Sequence, residues 1–516
     1  MRNWHSLYEI FQFPIGVIMF ALFLLGAGNI VANPAFAPFI TIHNDFILRI
    51  AEACTRIGSF LIVNFPLFFL IRSVTKRSGS ATTILSALSG YIAYLVFTMY
   101  FTRTDLPSTA YSSILGISQS SSITSLAGAV RYPLQTGLIP TFLLSFVTLG
   151  SYARTRHSSD YGFFSFINKD VMCVIRTVLF SCIIGALIGY AWPYLLQALQ
   201  RVITFISADT TNPINLMLYG VLERFLFVLN LGTLIRTPFW YGTYGGSWIN
   251  MEGISIAGDV NIWTGQYAAN SLTGITGRFI TPYYVLNMFA IPGLIWGIFS
   301  INTDKLERRR LLLYEILITL ISLLTGCLLP LELTLFFLCP LLFIFHLAYT
   351  GILFGVFQAM GVYLGFNYTG TGAIAVMPGT LLEYLTYFSH GELISSLLKI
   401  LLVGVISFFI YFLFTRIYFK YLSLDLFRVG DKDRLIDGTI EAVGGIENVK
   451  LVHSSLNRLI ISLYNPTKLN ITKLKSLGSI RVHETKAGYA ISYGAASTMV
   501  RIGIDQRMRD YVRKVD

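Results

Sequence analysis

The sequence runs to 516 residues, of which 54% are hydrophobic and only 12% charged. Soluble domains carry about 25% charged residues, so this composition, with a mean hydropathy of +0.65, excludes an ordinary soluble protein and predicts one surrounded by membrane lipid. The formal charge of +12 does not point to a nucleic-acid partner. Its basic residues gather as Arg72, Lys76 and Arg77, as Arg154 and Arg156, and as Lys305, Arg308, Arg309 and Arg310, at the ends of apolar runs, which is how loops on the cytoplasmic side are marked.

A spanning helix needs about 20 mostly apolar residues, because hydrocarbon offers its backbone amides no water. Runs free of charge lie between Glu9 and Asp45, Arg77 and Arg103, Arg131 and Arg154, Arg176 and Arg201, and Arg278 and Asp304. Shorter runs follow Arg56, Glu315 and Lys399, and Leu333 to Leu382 is long enough for two spans or for a span and a re-entrant segment. The expectation is a polytopic α-helical membrane protein of about ten spans with re-entrant segments. The first run ends in Ala32, Ala35 and Ala37, but it is long for a signal-peptide core and more spans follow, so it is read as an uncleaved first helix. The first two basic clusters place the N-terminus in the cytoplasm. The third fits only if the stretch between Trp240 and Tyr283 adds or removes a crossing.

Two stretches of the apolar part interrupt it. Trp240 to Gly277 is rich in glycine, and Thr325-Gly326-Cys327-Leu328-Leu329-Pro330-Leu331-Glu332 sets a proline and an acid in an apolar run. Irregular backbone at membrane depth is tolerated where it is buried in protein or lines a cavity, so both are candidate substrate-lining segments. Glu223 and Arg224 stand inside another apolar stretch, where each charge costs about 2.5–3.5 kcal/mol to insert and is kept for a pathway or an ion pair. Neighbours on a helix point about 100° apart, so the two need not pair with each other. Glu332 is a candidate acceptor for sugar hydroxyls or a structural cap. Trp240, Tyr241, Tyr244 and Trp248 could stack on sugar rings, and His346 is read as an interior histidine with its hydrogen bonds satisfied. The five cysteines lack CxxC spacing and the seven histidines form no HxxxH or HExxH pattern, so no metal or other cofactor is expected.

Composition changes near Tyr421: 25 of the 96 residues from there on are charged, against 39 of the 420 before it. The expected division is a membrane domain over 1–420, a linker over 421–433 and a small α/β sandwich over 434–516. In that last part helices are predicted over Asp433–Val443, Leu469–Leu477 and Thr498–Val512. Strands are predicted over Val449–His453 and Arg458–Tyr464, and over Ile480–His483 and Tyr489–Tyr493 as a hairpin about Ala487-Gly488.

Several segments together resemble a known family: Gly220-Val221-Leu222-Glu223-Arg224, Thr237-Pro238-Phe239-Trp240, Met288-Phe289-Ala290-Ile291-Pro292-Gly293, and Leu324-Thr325-Gly326 with Pro330-Leu331-Glu332. They are similar to the glucose-superfamily membrane permease, or C domain, of the bacterial phosphoenolpyruvate-dependent phosphotransferase system. The tail Gly444-Gly445-Ile446-Glu447-Asn448-Val449, with Asn457-Arg458-Leu459, resembles that family's phosphoryl-carrying B domain, so the resemblance spans nearly the whole chain. It implies a sugar substrate, partnership with phosphotransferase A and B proteins, a homodimer, and residence in the bacterial cytoplasmic membrane with both termini inside. It also implies substrate contacts among Glu223, Arg224, Trp240, Arg278, Pro330 and Glu332.

The chemistry implied for the B domain departs from the family. There a cysteine accepts the phosphoryl group, and a nearby arginine steadies it. Here the family's Asp-Ala-Cys-x-Thr-Arg-Leu is matched by His453-Ser454-Ser455-Leu456-Asn457-Arg458-Leu459, and no cysteine follows Cys339. A serine hydroxyl needs a general base, for which His453, two residues away and on the same side of an extended segment, is the near candidate. Ser455 is read as an inactive relic. In the membrane part the family's His-His pair is replaced by Gly232-Thr233, and of the two acids in Gly-Ile-Thr-Glu-Pro-Ile-Glu only the second is kept, as Glu332. Three readings follow: a sugar permease component of the phosphotransferase system, a non-catalytic sensor or modulatory partner derived from one, and a facilitator that moves sugar without phosphorylating it.

Overall fold

The computed structural model describes residues 2–32, 42, 44–103, 106–117, 132–157, 168–272, 276–301, 305–367, 378–419, 432–455, 457–479 and 481–515. The expected linker, apart from residues 432 and 433, lies outside them. The chain forms two units.

The larger unit comprises Ile10–Pro282 and Tyr349–Val376. Its helices are α1 (Arg2–Ala32, from Ile10 on), α2 (Asp45–Val63), α3 (Phe65–Ser78), α4 (Ala81–Phe101), α5 (Ile139–Thr155), α6 (Lys169–Ala208), α7 (Pro213–Val228), α8 (Thr233–Trp240) and, after a hairpin of β1 (Ser247–Ile249) and β2 (Ser255–Ala257), α9 (Asp259–Ala268). Small residues decide the closest packing. Along α6, Cys173, Thr177, Ser181, Gly185 and Gly189 recur every fourth residue and are buried, and Gly90 of α4 lies so near that a Cβ there would stand 2.7 Å from Ser181 Oγ. In lipid, where tails are as apolar as leucine, such close backbone approach supplies the attraction between helices.

The other unit comprises Met1–Glu9, Tyr283–Ala348 and Met377–Asp516. It contains α10 (Thr281–Val285, from Tyr283 on), a π-helical turn (Leu286–Ala290), α11 (Ile291–Ile301), α12 (Lys305–Thr325), α13 (Leu329–Leu338), the first part of α14 (Pro340–Met360), α15 (Leu381–Thr386) and α16 (Ile394–Ile417). Glycines again admit the neighbour: a Cβ on Gly293 would meet the Phe408 carbonyl at 2.3 Å, and one on Gly404 would meet the Phe289 ring at 2.4 Å.

Among the described residues six helices are long and apolar enough to cross a membrane, or seven if α2 and α3, bent by 57° at Asn64, form one span. Leu312–Thr325 and Leu329–Leu338 are shorter apolar helices. Between Trp240 and Tyr283 the longest helix among the described residues is the ten-residue α9, too short to span.

The C-terminal part of this unit is a four-stranded antiparallel sheet in the order β3-β4-β6-β5, with β3 (Val449–Ser454), β4 (Leu459–Leu463), β5 (Val482–Thr485) and β6 (Gly488–Ile491). Helices α17 (Lys432–Ala442), α18 (Ile471–Ser476) and α19 (Ser497–Val515) accompany it. Ile436, Val443, Val452, Leu459, Ile461, Ile491, Val500 and Ile504 are among its core residues. The expected elements are present with shifted ends. Helix α18 starts late because Asn470 Oδ1 accepts the Lys473 amide at 2.9 Å and caps it there. The β5–β6 hairpin turns at Lys486-Ala487, one residue before the expected Ala487-Gly488, because Thr485 pairs with Gly488; Ile480, the expected start of the first strand, lies outside the described residues.

Candidate functional sites in the two units

In the larger unit, helix α7 begins with Pro213 after the cap Asn212, whose Oδ1 accepts the Ile214 amide. It carries Glu223 and Arg224 into the interior, where they are 0% and 2% exposed. Although their 100° separation does not require it, they pair: Arg224 Nε donates to Glu223 Oε2 at 2.8 Å. The long guanidinium arm reaches back across that angle. The second partner of the carboxylate is Arg236 of α8, whose Nε donates to Glu223 Oε1 at 2.6 Å and whose guanidinium lies 4.2 Å from the Phe227 ring centroid and 5.1 Å from that of Trp240.

The sequence reading missed Arg236. Its signal was present, as the one charged residue in the apolar stretch between Arg224 and Trp240, thirteen residues from an acid at membrane depth.

Trp240 is buried, and its indole N–H donates to the Tyr219 hydroxyl at 2.9 Å. Tyr219 stands edge-on to Phe239, Phe279 and Phe354, so in this conformation Trp240 belongs to an aromatic wall. Tyr241 and Trp248 are partly open to the surface. Arg278 is held elsewhere in the unit: its Nη1 donates to the Thr210 hydroxyl at 2.8 Å and carbonyl at 3.2 Å, and its guanidinium lies 5.6 Å from the Tyr363 ring centroid. In the same turn the Thr211 hydroxyl and amide hold the Asp209 carboxyl below its ordinary range. Asp259, at the start of α9, accepts the amides of Gly277 at 2.8 Å and Phe279 at 3.3 Å, which fixes the backbone on both sides of Arg278.

In the other unit, the second interrupted stretch is a helix break. Helix α12 ends at Thr325, Gly326 takes φ +66°, and α13 restarts at Leu329 with Pro330 in its first turn, the place where a missing N–H costs nothing. Glu332 therefore sits in the first turn of α13, fully buried. Its Oε1 lies 3.1 Å from Nε2 of His346 on α14, and the Nδ1 of that ring lies 2.9 Å from the hydroxyl of Tyr411 on α16. Behind the break, Asn287 of the π-helical turn donates from Nδ2 to the carbonyls of Gly326, Pro378 and Gly379 at 3.2, 3.0 and 3.3 Å, while the Ser322 hydroxyl donates to the Asn287 carbonyl.

In the C-terminal sheet, β3 and β4 are joined by the turn holding the expected phosphoryl position. Ser454 pairs with Leu459, and the Ser455 amide donates to the Arg458 carbonyl at 2.8 Å. Ser455 is buried and lies past the end of β3, and among the described residues no hydrogen bond joins it to His453, which pairs with Ile460 inside the strand. The neighbouring Ser454 hydroxyl instead accepts from Arg501 Nε of α19 at 3.2 Å, and Arg501 also pairs with Asp505 at 2.6 Å. Leu456 lies outside the described residues.

No family model matches the sequence. Among curated proteins, the chain is similar to the "PTS system glucoside-specific EIICBA component" of Staphylococcus carnosus (strain TM300), at 25% identity over 522 residues, covering 96% of this chain and 72% of that protein. An alignment of that extent takes in both the apolar part and the C-terminal sheet. Among solved structures, the transporter ChbC, the IIC component from the N,N'-diacetylchitobiose-specific phosphotransferase system, aligns at 13% identity over 81% of this chain and 94% of that chain, with a TM-score of 0.30.

Proposed function

A relative of the fused C-and-B permeases of the bacterial sugar phosphotransferase system, this chain is, we propose, the component that binds a hexose or disaccharide and moves it across the cytoplasmic membrane. The similarity that runs through both the apolar part and the sheet domain carries this reading. The division into a membrane part over 1–420, a linker over 421–433 and a B-type domain over 434–516 belongs to the proposal. So do about ten crossings, read from the uncharged runs of the sequence, cytoplasmic termini, a homodimer, and partnership with phosphotransferase A and B proteins.

Within this reading the substrate contacts are Glu332, presented by the break at Gly326 and Pro330, and, in the other unit, Glu223 and Arg224, with Trp240 and Arg278 as further candidates. A buried acid is costly to keep in a membrane unless it is used, and a carboxylate accepts from two neighbouring hydroxyls of a sugar ring at once. In the B-type domain Arg458 would steady a phosphoryl group, and Ser455 occupies the acceptor position.

The serine at that position favours a second reading, in which the chain transports or senses sugar without carrying the phosphoryl group itself. A thiolate attacks at neutral pH, whereas a serine hydroxyl stays protonated without a base, and among the described residues no hydrogen bond joins His453 to Ser455. Labelled-sugar uptake in cells supplied with the general phosphotransferase proteins separates the readings. Sugar phosphate accumulating with the wild-type chain supports the permease with a B domain borrowed or working. Free sugar accumulating marks a facilitator, and no uptake together with no sugar binding by the purified protein sinks the transport reading.

A further inference from the structure

We propose that His346, backed by Tyr411, is a positioning residue for Glu332 that sets the direction in which this carboxylate meets the sugar; the inference rests on the reading of Glu332 as a sugar contact. Three helices contribute one residue each. Glu332 comes from the first turn of α13, His346 from the first half of α14 and Tyr411 from the C-terminal third of α16, and all three are fully buried.

The two hydrogen bonds of the ring select its tautomer. A neutral imidazole has one N–H and one lone pair. An ionised carboxylate only accepts, so Nε2 carries the proton and donates to Glu332 Oε1 at 3.1 Å. Nδ1 then has only a lone pair to offer, and the Tyr411 hydroxyl must donate to it at 2.9 Å. The chain of donors runs in one direction, from Tyr411 through His346 to Glu332. This assignment follows from the network rather than from observed hydrogens.

The arrangement matters for recognition because a glutamate side chain turns about three bonds. Specificity among hydroxyl-bearing substrates depends on where the acceptor lone pairs point. Holding Oε1 at a fixed donor removes the freedom of the carboxylate to rotate. Tyr411 in turn is set by its ring contacts, edge-on to Phe345 with centroids 5.1 Å apart, while Phe345 stacks on Phe414 at 3.8 Å. The support therefore extends from the packed face of α16 to the acid. An imidazole held for stability alone would affect folding but would not couple to Glu332 in substrate binding.

The test measures binding of radiolabelled methyl glucoside, glucose, maltose and cellobiose to the purified full-length chain, with thermal unfolding of each variant recorded in the same detergent. If the wild type binds none of them, the transport reading fails before this inference is reached. If it binds one, Glu332→Gln is expected to weaken that sugar by about tenfold or more, and His346→Leu to a similar extent. His346→Gln, whose amide can still donate to the carboxylate, is expected to recover most of the loss. In the Glu332→Gln background, His346→Leu should add almost nothing, because residues acting through one another are non-additive. Tyr411→Phe, which releases the tautomer, should weaken binding by about threefold with unfolding little changed. The inference is overturned if Glu332→Gln binds as the wild type does, if His346→Leu is folded and binds normally, or if its loss multiplies with that of Glu332→Gln. Should His346→Leu fail to fold, His346→Gln and Tyr411→Phe decide. Retained binding in the first with weakened binding in the second upholds the role, and any other combination in folded protein rejects it.

Discussion

One carboxylate serves two guanidiniums at Glu223, and that ratio shapes what each substitution does. Arg224 and Arg236 both donate to it from positions almost closed to solvent. Breaking a buried pair by removing one partner typically costs about 3–5 kcal/mol, since the charge left behind is uncompensated. Glu223→Gln removes the carboxylate that both guanidiniums share, so it is expected to be the most damaging single change in this cluster, lowering both membrane yield and the thermal midpoint more than Arg236→Gln. Comparing the two by fluorescence size-exclusion and thermal unfolding checks this, and equal midpoints would show that Glu223 is compensated in another way. Arg236→Lys is expected to fall between them: it keeps the charge but loses the planar stacking against Phe227 and Trp240.

At the scale of elements, the breaks matter as much as the helices. The π-helical turn at Leu286–Ala290 carries Asn287, and its amide gathers three carbonyls from Gly326, Pro378 and Gly379. Backbone groups released by an interrupted helix must be satisfied within the protein when no water is at hand, and here one side chain does so both at the break after α12 and at the carbonyls just before α15. Gly379 makes this possible. It holds φ +90°, and a Cβ there would stand 2.6 Å from Asn287 Nδ2 and 2.7 Å from the Tyr283 carbonyl carbon. Gly379→Ala is therefore expected to lower the thermal midpoint and sugar uptake together, whereas Gly391→Ala, which meets nothing within 4 Å, should leave both unchanged. Similar behaviour of the two variants would remove Asn287 from this role.

The C-terminal sheet offers a parallel case. Gly488 has φ +122° at the β5–β6 turn, with Ile461 O only 2.3 Å from where a Cβ would sit. Gly488→Val should disrupt the domain while leaving the apolar helices folded. Limited proteolysis that clips the C-terminal part of the variant while sparing the rest would show it.

For the whole molecule, the proposed permease activity depends on whether the apolar part remains competent when Ser455 stands in the C-terminal sheet domain. Ser455→Cys restores a thiol, whose ordinary pKa of about 8.5 leaves a reactive fraction ionised at neutral pH. Sugar phosphate formed by this variant but not by the wild type is the outcome expected if the domain is the broken link. Sugar phosphate from neither, with sugar binding intact, would place the chain among sensors or facilitators. The buried setting of Ser455, closed by the turn to Arg458, means that a cysteine there must also become exposed to its donor, so the variant should react with a small maleimide only slowly in the resting protein.

The sequence by itself determined the class of molecule and the run of its parts, because both are matters of transfer free energy and local pattern. An uncharged run of helical length belongs in lipid, a charged alternating tail does not, and glycines and Pro330 mark where regular structure stops. The order of strands and helices in the tail was legible for the same reason, while the last hairpin turns one residue earlier than the pattern placed it. Tertiary structure alone decided which charges share a partner. Arg236 lies thirteen residues from Glu223 and on another helix, and His346 and Tyr411 reach Glu332 from two further helices. Hydrogen bonds and ion pairs act over about 3 Å in space, a distance that spacing along the chain leaves open until the helices have packed.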